Sequence, residues 1–246
     1  MDHEVEVATT SCQEIQLQGD TFSASYSALL CKSEMDLRVP CFCEENVWRL
    51  AYRRLHGASA ADLKEKEYFV VFVSNEQKCC PFLHQRASSD PQNPIFWDYH
   101  VILIEKSKNI EQESMVWDMD SHLPYPSPLQ SYLTETFFSM PFSENDQFAP
   151  LFRIVQASDF LKNFYSDRKH MFDGSKWLAT PPLYECILPK QSDELILNKK
   201  GHQSNLDQYI AMKTPVGKCD NDPTRDIPFS PYGEILTAKG LLLKFC

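Results

Sequence analysis

The sequence predicts an α/β protein of the α+β type: a single domain with a central, mostly antiparallel sheet flanked by helices. Three observations carry this expectation. An amphipathic helical pattern begins at Glu44, several β-rich runs are separated by polar turns, and the chain contains no internal repeat or low-complexity tract. With 246 residues, 43% of them hydrophobic, it can bury one substantial core.

Residues 1–35 are rich in Ser, Thr, Gln and Glu and lack periodicity, so they read as a flexible N-terminal extension. The folded domain is expected over residues 36–246. Val47, Leu50, Ala51 and Leu55 fall at helical spacing, with Glu44 and Glu45 in the first turn where acids suit the helix dipole; this helix should end before Gly57. "YFVVFVSNE" (68–76) and "PIFWDYHVILIEK" (94–106) read as strands. "MVWDMDS" (115–121) reads as a third, after the polar turn "SKNIEQES". "LPYPSPLQSYLTETF" breaks at its prolines and then turns helical. "FRIVQASDFLKNF" (152–164) should be a strand passing into a helix capped by Ser158 or Asp159. "DGSKWLATPPLYE" reads as loop and "SNLDQYIAM" as a short helix capped by Ser204, while "GEILTAKGLLLKF" gives weak signals.

Charge and cysteine usage limit the function classes. A net charge of −10 argues against a nucleic-acid-binding surface. No apolar run is long enough to span a bilayer. The polar, acidic start "MDHEVEVATT" does not resemble a signal or transit peptide. The nine cysteines are odd in number and unevenly spaced, so they read as reduced thiols, with cytosol and nucleus as the expected location.

Chemistry is suggested by "CFCEENVWRL" (41–50). Cys43 falls at the start of the predicted helix, where unpaired backbone N–H groups and the helix dipole favour a thiolate and can hold an oxyanion. Position alone favours a cysteine that simply begins a core helix. His100 and Asp118 add weight. If the hairpin is symmetric about Asn109, residue i pairs with residue 218 minus i, which sets His100 opposite Asp118 with Cβ atoms roughly 4.5–5.5 Å apart. A carboxylate there would orient the imidazole and stabilise its charged form. A one-residue slip would separate the two side chains, and Asp120 is a competing acid. A helix-terminal Cys followed by His and Asp on neighbouring strands is an order shared with thiol hydrolases of papain or transglutaminase type.

Several motifs occur together in order: C-E-E-N, S-N-E, W-D-Y-H, W-D-x-D-x-x-L-P-x-P and S-D-R-x-H-M. The stretch from about residue 40 to 215 thereby resembles the protein N-terminal glutamine amidohydrolases, and "LPYPSPLQSYLTET" is similar to the plant members. The resemblance implies a transglutaminase-like α/β domain with Cys43 as nucleophile, His100 as acid and base, and Asp118, not Asp120, as the orienting acid. It implies deamidation of an N-terminal glutamine to glutamate through a thioester, with no metal or organic cofactor. The implied partners are proteins and peptides bearing a free N-terminal Gln, upstream of arginyl transfer in an N-degron route, with the enzyme a monomer. Phe42 stands where the family usually has Tyr, and "KCCPFLHQRA" departs from the family pattern.

Selecting a free α-ammonium beside a Gln side chain requires acceptors at a fixed distance from the sulfur. Glu45, Asn75, Glu76 and Asp98 are candidates, with Trp97 and Tyr99 as walls. Each also has an ordinary structural reading. Ser166, Asp167, Arg168 and His170 read as either a loop-ordering network or part of the site. Three rivals remain at this point: a metal site drawn from Cys41, Cys43, Cys79, Cys80, His84 and His100, another thiol hydrolase such as a protease or transglutaminase, and a non-catalytic binder of N-terminal Gln.

Overall fold

The computed structural model describes residues 33, 37–140, 146–188, 201, 203–212 and 232–246. Apart from Ser33, the N-terminal extension lies outside them. The described elements are α1 (Cys43–His56), α2 (Ala60–Glu65), β1 (Lys66–Ser74), β2 (Cys80–Phe82), β3 (Ile95–Trp97), β4 (His100–Ser107), β5 (Met115–Trp117), β6 (Ser127–Pro128), α3 (Leu129–Leu133), β7 (Leu151–Gln156), α4 (Ala157–Asn163), α5 (Leu206–Tyr209), β8 (Glu234–Thr237) and α6 (Ala238–Phe245). A π-helical turn, Thr134–Phe138, continues α3.

Six strands form one antiparallel sheet in the order β6-β5-β4-β1-β7-β8. β1 lies inside it and is buried from Tyr68 to Ser74. A near-continuous apolar run is what a strand covered on both faces requires. On one face, Val70, Phe72, Val101 and Leu103 pack with Val47, Leu50 and Ala51 of α1, Phe160 of α4 and Tyr209 of α5. On the other, Val71, Val73, Ile102, Ile104 and Val116 pack with Leu129, Tyr132 and Leu133 of α3 and Leu241 and Phe245 of α6. Each fully buried aliphatic or aromatic side chain contributes about 1.5–3 kcal/mol relative to exposure, so the two apolar faces together fix the sheet between its helices.

α1 matches the expected helix, ending at His56 before Gly57, whose N–H bonds Arg53 O at 2.8 Å. The expected strand over 94–106 is divided. β3 pairs with β2 in a separate two-stranded sheet, and β4 joins the main sheet after a break at Asp98 and Tyr99. The third strand stops at Trp117, because the Asp118 carboxylate accepts from Asp120 N–H at 2.9 Å and turns the chain. α4 begins at Ala157 with Gln156 at its N-cap, so neither Ser158 nor Asp159 caps it. Asn205 occupies the N-cap of α5, and Ser204 Oγ instead accepts from Leu206 N–H at 3.3 Å. The weakly patterned C-terminal stretch forms the edge strand β8 and then α6, with Thr237 accepting from Gly240 N–H. α2 was not anticipated, although Ser59 and Asp62 close a reciprocal capping box around its first turn.

Candidate active site

The segment ahead of α1 is shaped by its sequence. Phe42 N–H bonds Val39 O at 3.3 Å, with Pro40 second and Cys41 third in the turn. Cys41 has φ 66°, the left-handed value that a type II turn demands at that place. A non-glycine residue held there costs about 1–3 kcal/mol. Asn46 offsets this by clamping Val39 on both sides: Oδ1 accepts from Val39 N–H at 2.9 Å and Nδ2 donates to Val39 O at 2.8 Å. The turn delivers Cys43 to the first position of a helix whose N-terminus has no side-chain cap.

Cys43 is buried, and its sulfur takes a backbone hydrogen bond from Val101, the residue after His100. The nucleophile candidate on α1 is thereby tied to the start of β4. The sequence argument expected the helix terminus to depress the thiol's pKa. The opposite holds: burial first, then the carboxylates of Glu44 and Asp120, push it well above the ordinary thiol value, against the Val101 hydrogen bond. A resting thiol of this kind needs a base to become a nucleophile.

His100 and Asp118 are both buried, with His100 Nε2 2.9 Å from Asp118 Oδ1. The hairpin register differs from the expected one. Leu103 pairs with Trp117 and Glu105 with Met115, a sum of 220 instead of 218. A two-residue shift preserves the face, so His100 and Asp118 meet diagonally beyond the last ladder pair. The shift centres the turn on Ile110, which is 97% exposed.

Asp118 is held as an anion. Tyr132 Oη donates to Oδ2 at 2.8 Å, Asp120 N–H donates to Oδ1, and Gln85 Nε2 lies 3.5 Å from Oδ2. Burial pulls its pKa up, but the charge and hydrogen bonds of His100, with help from Tyr132 and the Asp120 amide, leave it below the ordinary carboxylate value. Burial likewise pulls His100 down, and Asp118 outweighs that and raises it. The Asp118 contact engages Nε2, so Nδ1 is the nitrogen not committed to Asp118. Trp97 stacks on the imidazole at 6.5 Å between centroids, and Phe82 meets it edge-on at 5.4 Å.

The remaining candidates divide by what they touch. Glu45 is fully buried, with both oxygens 2.7 Å from the Arg168 guanidinium. Arg168 also donates to the carbonyls of Pro182, Tyr184 and Glu185, so its donor groups are all used. Asn75 donates to Cys79 O and Phe148 O and accepts from Cys79 N–H, while Glu76 is exposed in the same turn. Asp98 is exposed, its Oδ1 accepting from Tyr99 N–H at 2.9 Å. Tyr99 is buried and donates to Glu44 Oε2 at 3.0 Å. Of the 166–170 segment, Ser166, Asp167 and Arg168 order the loop, with Asp167 accepting from Lys169 N–H and Gln203 N–H. His170 instead turns its Nε2 to within 3.4 Å of both Glu44 Oε1 and Tyr99 Oη.

Sequence reasoning passed over Glu44, Asn46, Gln85 and Tyr132. Glu44 and Asn46 lie inside the C-E-E-N motif, which is the signal that could have found them; Gln85 and Tyr132 lie in segments read only as loop and helix. Among the described residues, the cysteines and histidines of the metal rival do not gather into one ligand set. His100, Asp118 and Asp120 do bring ligand-type atoms within 4.8 Å of one another, but Asp118 is engaged by His100 and Asp120 by Arg38 at 2.8 Å.

The sequence itself matches known proteins. Residues 38–244 match the N-terminal glutamine amidase family, well past residue 215 where the sequence resemblance was expected to fade. A protein N-terminal glutamine amidohydrolase of Arabidopsis thaliana is 45% identical over 70% of this chain and 74% of its own length. One from Oryza sativa subsp. indica is 35% identical over 80% and 81%, and one from Homo sapiens 36% identical over 72% and 78%. Fold, motif order and extent of match converge, and the chain belongs to the N-terminal glutamine amidase family.

Proposed function

We propose that this protein deamidates N-terminal glutamine, with Cys43, His100 and Asp118 as its catalytic residues. The observation that carries the reading is the buried His100–Asp118 pair together with the backbone of Val101, the residue after His100, against the Cys43 sulfur at an uncapped helix N-terminus. The Cys43 thiol is pushed up by burial, so His100 Nδ1 takes its proton as the sulfur attacks the γ-carboxamide carbon. The oxyanion that forms lies at the start of α1, where first-turn N–H groups have no intrahelical partner. His100, held charged by Asp118, returns the proton to the departing nitrogen. The C–N bond breaks, ammonia leaves, and a thioester remains. Water then gives a proton to His100 and its oxygen to the acyl carbon, the C–S bond breaks, and glutamate and free Cys43 are restored. No step in this scheme draws on a metal or organic cofactor.

The product's new N-terminal glutamate is a chemically suitable acceptor for arginyl transfer, which places the reaction upstream of that step. The test is ammonia release from a Gln-initiated peptide, its acetylated twin and a peptide with internal Gln. Release confined to the free N-terminal Gln and abolished in Cys43→Ala supports the scheme; full activity in Cys43→Ala overturns it. Release of free amine acceptors' conjugates, or cleavage of the peptide backbone, would instead favour the transglutaminase or protease reading.

A further inference from the structure

Glu44 is fully buried and adjacent in sequence to the nucleophile, yet nothing in the scheme above uses it. The Cys43 thiol lies 3.6 Å from its Oε2, the oxygen that also accepts from Tyr99. Its Oε1 has no hydrogen bond of acceptable geometry. Beside it stands the imidazole of His170, Nε2 at 3.4 Å, on a side chain that is still 23% exposed. Neighbouring acids are otherwise committed: Glu45 to Arg168, Asp118 to His100 and Tyr132, Asp120 to Arg38. Asp98, exposed beside Tyr99, adds negative potential to the same place. A buried carboxylate with an open oxygen is costly unless a cation completes it.

We infer that Glu44 is the acceptor for the substrate's α-ammonium, taking it at the oxygen that His170 covers at rest, and that this contact activates Cys43. The inference rests on the deamidation reading. The α-nitrogen and the amide carbon of glutamine are roughly 5 Å apart when the side chain is extended, so a sulfur in contact with Glu44 can reach the amide while the carboxylate holds the amine. The same proximity sets a penalty. Before the substrate ammonium arrives, with the His170 imidazole at 3.4 Å, the Glu44 charge opposes formation of the Cys43 thiolate, and Glu44 is second only to burial in that effect. An arriving ammonium neutralises it, and His100 can then remove the thiol proton. A glutamine inside a chain, or one with a blocked amine, brings no cation and leaves the thiol suppressed. Selectivity for the N-terminus is then expressed in kcat as well as in KM.

The test compares a Gln-initiated peptide with its desamino twin, in which hydrogen replaces the α-amino group. kcat and KM are measured for wild type and Glu44→Gln, together with the pH profile of Cys43 alkylation by iodoacetamide against a Cys43→Ala background. Wild type should prefer the free amine by roughly a hundredfold, partly in kcat. Glu44→Gln should lose most of that preference, act on the desamino peptide faster than wild type does, and show an alkylation midpoint about one pH unit lower. Equal losses on both peptides with an unmoved midpoint would overturn the inference. So would a wild-type preference confined to KM, a measurement that needs no variant to fold. Failure of the deamidation reading looks different: wild type would release ammonia from neither peptide.

Discussion

Tyr132→Phe isolates the support given to Asp118. The substitution removes one hydroxyl from a fully buried ring and leaves its packing against Phe137 in place. Lost with it is the 2.8 Å hydrogen bond to Asp118 Oδ2, leaving that oxygen only Gln85 Nε2 at 3.5 Å. A hydrogen bond to a buried charged group contributes about 1.5–3 kcal/mol, so this is the expected loss of stability at pH 7. At 1.36 kcal/mol per unit, the Asp118 pKa should rise by about one to two units. The sign of the pH dependence follows. Asp118 has a folded-state pKa below its unfolded value, so its contribution is complete above about pH 4 and fades as pH falls through the folded value. The stability gap between wild type and variant should therefore be full at pH 7 and narrow on acidification below about pH 4. Urea denaturation of both proteins across that range measures it. In the steady state, kcat/KM should fall by no more than about a hundredfold, since tenfold corresponds to 1.36 kcal/mol and His100 keeps its contact with Asp118. A gap that stays constant with pH, or one below about 0.5 kcal/mol, would refute the idea that Tyr132 acts on the charged carboxylate.

Two further outcomes concern the frame around the site. Arg168→Ala strands the Glu45 carboxylate in the interior and frees three carbonyls, so it should cost about 3–5 kcal/mol in chemical denaturation; a loss near zero would mean Glu45 finds water or a proton without strain. Gly233 has φ 75°, and an added Cβ would sit 1.8 Å from Ile154 O, so Gly233→Ala should destabilise the β7–β8 edge, seen as faster amide exchange in Glu234–Thr237. Unchanged exchange there would refute that reading.

How much of this was legible depended on whether the signal was local. α1 could be placed because its apolar spacing, acidic first turn and terminal glycine are written within one short stretch. The six-stranded sheet was foreseen in kind but not in detail. The 94–106 run looks like one strand because both halves are apolar and β-prone, yet Asp98 and Tyr99 break it by folding back toward Ser74 and Glu44, partners remote in sequence. His100 and Asp118 were found by a register rule that was off by two residues, an error that parity forgives. Glu45 and Asn75 had the right chemistry for binding an amine, but their polar groups face Arg168 and the Cys79 turn. Tyr132 could not have been read from its own segment, since what defines it is a carboxylate on another element.

The Glu45–Arg168 pair also bears on how the enzyme is born. The two residues are 123 positions apart, and the guanidinium is completed only by carbonyls as late as Glu185. On the ribosome, Cys43, His100 and Asp118 all emerge well before Arg168 does. At roughly 5–20 residues per second, the helix that presents the thiol waits several seconds or more with an unneutralised acid in its first turn. A nascent chain can therefore carry all three chemical groups and still lack the clamp that seats the helix carrying Cys43. Activity should switch on late in synthesis, after the 165–185 segment has cleared the exit tunnel.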